Sequence, residues 1–105
     1  MEWTTGLVYL LAGVFLANGV PHFVNGISGR SFQSPFAKPP GVGESSPVIN
    51  VIWGMTNFVI GYALLRGVGV FSFSDTAAMG AVALGALLAG AGLAWHFGRV
   101  RASKH

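Results

Sequence analysis

The segment Thr5 to Val24, TGLVYLLAGVFLANGVPHFV, holds no Asp, Glu, Lys or Arg in twenty residues. Built as an α-helix rising about 1.5 Å per residue, it is about 30 Å long, the thickness of a bilayer's hydrocarbon core. Val48 to Leu65 and Thr76 to Phe97 are also free of charge, and as helices they measure about 27 and 33 Å. The piece between them, RGVGVFSFSD from Arg66 to Asp75, is too short to cross a bilayer. The expected fold class is all-α and integral to a membrane. It is a bundle of three transmembrane helices forming one membrane domain over residues 1–105.

Composition points the same way. Hydrophobic residues make up 52% of the chain and charged residues 9%, whereas a soluble domain carries about 25% charged residues. So few charges cannot cover a water-facing surface, so lipid is the expected covering. With no cysteine, disulfides, thiolate catalysis, iron–sulfur clusters and cysteine-ligated zinc are excluded. The net charge of +3 comes from basic residues scattered around the apolar runs. That pattern fits membrane topology, and no basic patch interleaved with aromatics points to nucleic acid.

Arg30 and Lys38 lie in the first loop, and Arg99, Arg101 and Lys104 follow the third span, while only Arg66 lies in the second loop. With three spans, the first loop and the C-terminus share one side, and the positive-inside rule makes it cytoplasmic. The N-terminus and the Arg66–Asp75 loop are then outside. The opening MEWTTG has an acidic residue and no basic one, unlike a secretory signal, so the first span is expected to stay in the mature protein. Trp3, Tyr9, Trp53 and Trp95 are expected to anchor at the membrane boundaries. The expected location is a bacterial plasma membrane.

The cytoplasmic loop 26–47 is rich in Gly, Ser and Pro. Its Pro-Pro and Ser-Pro steps exclude a continuous helix, and it reads as a surface linker without secondary structure of its own. Phe32 and Phe36 are expected either to dip into the interface or to dock on a partner.

Between the first span and this loop stands NGVPHFVNG, Asn18 to Gly26, with polar groups where an apolar run is ending. At 100° per residue, Asn18, His22 and Asn25 share one helix face. Asn50, Gly54, Asn57 and Gly61 share a face of the second span. Ala81, Gly85, Ala89 and Gly92 share one of the third, which ends at His96. An amide in hydrocarbon needs a partner, so Asn57 should face another helix. The expected arrangement joins Asn18, His22, Asn25, Asn50, Asn57 and His96 in one polar intramembrane cluster. Gly85, Ala89 and Gly92 then pack inward. Gly6, Gly13 and Ala17 form a second smooth face on the first span, expected to meet a partner helix or a second copy.

The carboxylates are Glu2, Glu44 and Asp75, all outside the spans, which leaves no intramembrane group for a proton-coupled exchange cycle. GVGES lacks the Lys-Ser or Lys-Thr of a phosphate loop. No catalytic residue is expected, and the chain does not read as an enzyme or as a cofactor protein. The leading functional expectation is a non-catalytic accessory or assembly subunit of a larger membrane complex, in contact with lipid and with other membrane subunits or its own copies. A homo-oligomeric channel or carrier with Asn57 lining its path is the alternative. A haem or metal protein using His22 and His96 is a further one, since imidazole ligates both.

Overall fold

The structure, a computed structural model, describes residues 1–67 and 71–103. Lys104, expected in the basic tail, His105 and residues 68–70 of the second loop lie outside the described residues. The first helix, α1, runs from Trp3 to Ile27 and continues through Pro21. It stops where Gly29 adopts φ +75°. The Arg30 N–H then donates to the Asn25 carbonyl and the Gly29 N–H to that of Gly26. This closes the helix end in the manner of a Schellman motif. Ser46 Oγ accepts from the Ile49 N–H at 3.2 Å. Ser46 thereby caps α2, Pro47–Gly67, and Pro47 supplies a first-turn residue that needs no donor. Asp75 Oδ1 accepts from the Ala78 N–H at 3.1 Å and caps α3, Thr76–Ser103.

All three helices are long and apolar enough to cross a membrane. They form an open bundle in which α1 is central, packed against both other helices, while contact between α2 and α3 is sparse. Small residues set both contacts. Against α2, a Cβ at Gly19 would come within 2.8 Å of the Gly54 carbonyl oxygen, and one at Gly26 within 2.7 Å of that of Pro47. Ala12, Gly19 and Gly26 thus recur at heptad spacing along an antiparallel seam that also takes Gly54 and Gly61 of α2. Against α3, a Cβ at Gly13 would overlap the Val82 carbonyl, and one at Gly85 would overlap that of Leu10. These two helices run parallel. Backbones this close gain dispersion contacts that larger side chains would prevent.

The loop after α1 differs from the expected linker. It folds back over the helix ends, pairing β1, Phe32–Gln33, with β2, Glu44–Ser45, antiparallel. Ser34 holds it together. Its N–H donates to the Gly43 carbonyl and its carbonyl accepts from the Gly41 N–H, while its hydroxyl bonds that of Ser45 at 2.5 Å. Phe32, Gln33 and Ser34 are buried. The prolines that exclude a helix do not exclude a turn, and buried backbone groups here find partners within the loop.

Candidate functional site

Asn50, in the first turns of α2, is fully buried and organises the loop end of the molecule. Its Nδ2 lies 3.1 Å from each of the Phe32, Ser45 and Ser46 carbonyl oxygens. Three acceptors around one atom identify it as the amide nitrogen, so Oδ1 faces the His22 ring, 2.9 Å from Nδ1. An amide oxygen only accepts, so His22 Nδ1 carries the proton and donates. In the neutral ring Nε2 is then an acceptor, and no side chain or backbone group among the described residues is bonded to it. Phe32, Trp53 and Phe97 meet the His22 ring edge-on, at centroid distances of 5.5, 6.3 and 6.3 Å.

His96 takes its place from α3. Its Nε2 lies 2.7 Å from the Gly41 carbonyl oxygen and donates to it. Gly41 has φ +76°, a conformation that favours glycine at this turn. Higher up, Asn18 Nδ2 donates to Asn57 Oδ1 at 2.9 Å, and Asn57 Nδ2 donates to the Trp53 carbonyl at 2.8 Å. Asn57 is fully buried between α1 and α2. It therefore faces Asn18.

Between these groups lies a cavity of about 220 Å³, lined among others by Asn18, His22, Gln33, Trp53, His96 and Phe97. None of its lining residues is Asp, Glu, Lys or Arg. Two of them carry buried polar atoms with no hydrogen-bond partner, Gln33 Oε1 and Trp53 Nε1. Gln33 is only 3% exposed. An unsatisfied buried donor or acceptor costs about 1–3 kcal/mol. One acceptor and one donor are thus left without partners on residues of the same space.

Several sequence expectations are corrected. Asn25 does not join the cluster: its Nδ2 donates to the Pro21 carbonyl of its own helix at 2.7 Å, and it lines a separate polar recess with Arg30 and Arg101. Phe32 is not an outward contact. It is packed between His22 and Phe97, because Asn50 draws its carbonyl inward. Phe36 does stay 62% exposed, resting edge-on against Trp53 at 5.1 Å. Tyr9 is core and meets Phe71 edge-on at 5.4 Å. The face of Gly6, Gly13 and Ala17 is not vacant: Gly13 seats α3, and Ala17 lines a groove beside α3. Of the three, Gly6 alone meets only its own N-terminus, since a Cβ there would find Met1 Cε at 3.3 Å. On α3, Gly85 packs inward and Ala89 is partly buried, but Gly92 is exposed with open space beside it. At that level Leu93, His96 and Phe97 occupy the inner side of α3, and their bulk takes the place of small-residue contact.

Sequence reasoning did not single out Gln33, Ser34, Leu93 or Phe97, and read Trp53 only as an anchor. Trp53 had a usable signal, because it stands three residues after Asn50 and four before Asn57, close to their face. Gln33 had none, since its position depends on the folded loop. No group of three or more His, Cys, Asp or Glu side chains comes together among the described residues. No family model, curated protein or solved structure matches the chain.

Proposed function

We propose that this chain is a non-catalytic membrane component that binds a small uncharged molecule in the cavity at the loop end of its helices. The carrying observation is the unpartnered acceptor Gln33 Oε1 together with the unpartnered donor Trp53 Nε1, both on residues lining that cavity. Both atoms are closed off from the cavity surface, so a guest reaches them only as the Gln33 and Trp53 side chains turn, and by accepting from the indole and donating to the amide it then removes both penalties. A charged guest would lose its hydration with no opposite charge on the lining residues, which favours a neutral one. In this reading the chain spans a bacterial plasma membrane three times, with the N-terminus outside. Arg30, Lys38, Arg99 and Arg101 support placing the loop end in the cytoplasm.

Service as an accessory subunit is a second reading, favoured by Phe36. An exposed aromatic resting on Trp53 gives a partner a contact with the cavity wall.

The test is a titration of the purified chain with phenol, followed through the Trp53 indole N–H resonance, which Trp53→Phe identifies. A saturable shift of this resonance, lost in Gln33→Leu, is the expected result. An unmoved resonance up to the solubility of phenol overturns the reading. A Soret band or stoichiometric metal in the purified chain would instead assign His22 and His96 to haem or metal.

A further inference from the structure

A second polar space, a recess of about 340 Å³, lies where the ends of α1 and α3 meet the loop. The parallel course of these two helices creates it. Arg30 follows the last residue of α1 by three positions, and Arg101 stands two positions before the end of α3. Two guanidinium groups from distant parts of the chain thus line one recess, together with Asn25 and Ser31. Neither arginine forms an ion pair or a side-chain hydrogen bond among the described residues. Asn25 Nδ2 is taken by the Pro21 carbonyl, which leaves Oδ1 as an acceptor. Glu44 also lines the recess. Two positive groups therefore stand against one negative, and the lining carries one net positive charge. Like charges gathered at one recess repel, and an anion between them relieves the repulsion.

We propose that this recess binds the headgroup of an anionic phospholipid, with the phosphodiester held by Arg30 and Arg101. The inference takes the helices as membrane spans and does not depend on the cavity reading. A guanidinium is a planar fork of N–H donors that meets phosphate oxygens two at a time. One phosphodiester carries one negative charge, which balances the net charge of the lining. Depth agrees as well. Both arginines stand at the ends of apolar spans, at the level where the phosphates of a bilayer lie. Basic pockets between membrane helices on the cytoplasmic side hold such headgroups. Val24 and Ile27, in the last turn of α1, are exposed, so apolar surface for acyl chains begins beside the recess. A lipid gains from that surface and a free phosphate does not. Asn25 Oδ1 suits a headgroup hydroxyl, which donates to it.

The test is a titration of the purified chain in an uncharged detergent, read through the guanidinium Nε–H resonances of Arg30 and Arg101. Arg30→Gln and Arg101→Gln identify these resonances, and both positions are exposed, so the variants fold. Three probes are compared: dihexanoyl phosphatidylglycerol, dihexanoyl phosphatidylcholine and inorganic phosphate. Phosphatidylglycerol should shift both resonances saturably and bind more tightly than the other two. Each arginine variant should weaken its binding about fivefold, the worth of one arginine at an anionic membrane surface. Arg99→Gln controls for diffuse attraction. Arg99 belongs to the same end, but its guanidinium lies 4.7 Å from the centre of the Trp95 ring and it lines a different space. At about 0.15 M salt, which screens charges outside the site, its loss should change binding by less than about twofold. Equal weakening by Arg99→Gln and Arg101→Gln would replace the site with general charge attraction. Inorganic phosphate binding as tightly as phosphatidylglycerol would make the recess a free-anion site and sink the lipid. Equal binding of phosphatidylcholine would sink the anionic class. No saturable shift of either resonance with any probe overturns the inference and leaves the cavity reading, which the Trp53 resonance tests, as it stands.

Discussion

His22 and Asn50 are joined by a hydrogen bond of 2.9 Å across the α1–α2 contact, and the same Asn50 amide reaches three carbonyls of the loop and its junction with α2. One side chain therefore links a helix, the start of the next helix and the segment that covers both. Asn50 adds a side-chain donor to carbonyls of the buried loop segment and so helps to hold the loop folded back.

Replacing Asn50 by Leu keeps the approximate volume and removes all of these bonds. Losing this shared donor and the bond to His22 should loosen the loop by about 1–3 kcal/mol. Hydrogen exchange at the Ser34, Gly41 and Gly43 amides, each bonded within the loop, should speed up by at least about tenfold, the equivalent of about 1.4 kcal/mol. Amides in the middle of α3 should not change. Unaltered loop exchange in this variant would mean that the β pair and Ser34 hold the loop without Asn50.

Asn57→Leu tests the second bridge, the 2.9 Å bond from Asn18. One interhelical hydrogen bond in a membrane protein is worth about 0.6–2 kcal/mol. The substitution should lower stability to denaturing detergent by that amount and leave the Asn18 amide unpaired. Val59→Leu, at an exposed position of the same helix, should have little effect. Equal loss from both would show that Asn57 packs as a filler rather than as a partner.

The spans and their polar faces were legible because helical periodicity depends only on spacing. Asn18 and His22 are four residues apart, Asn50 and Asn57 seven, and each pair does share a face. Helix contacts were less legible. Gly13 was read as free for a partner because spacing identifies a smooth face but not its occupant, and a parallel α3 takes it. Gly19 and Gly26 on the α2 seam carry no such signal, since the polar residues beside them dominate the pattern of that stretch. The loop was the least legible part. Gln33 and Ser34 look like solvent residues in a Pro-rich run, and their burial comes with hydrogen bonds to residues 7 to 11 positions away.

The glycine contacts give a graded prediction. Gly13→Leu and Gly85→Leu force side chains onto the Val82 and Leu10 carbonyls, and backbone cannot yield as a flexible side chain can. Each should destabilise the chain by about 1–3 kcal/mol, and more if the helices separate. Gly92→Ala, on an open surface, should be neutral or stabilising by up to about 1 kcal/mol, because alanine is the better helix former. Detergent-denaturation midpoints measure both. A tolerant Gly13 would show that α3 does not lie against α1 at that point.

The last prediction concerns which side the cavity faces. Arg30, Lys38, Arg99 and Arg101 belong to the loop and the final turns of α3, which meet where His96 donates to Gly41. Arg66 ends α2 at the opposite end. The positive-inside bias therefore acts on one end of the molecule, with the first loop and the last helix in agreement. The chain has no cysteine, so a single introduced thiol reports without background. Ser103→Cys and Phe73→Cys are suitable, Ser103 lying in the last turn of α3 and Phe73 being 83% exposed in the short loop before that helix. In intact cells an impermeant maleimide should label Phe73→Cys and leave Ser103→Cys unreacted until the membrane is opened. The reverse pattern would turn the molecule over and place the cavity at the outer surface. Labelling of both from outside would show that the chain does not cross the membrane three times.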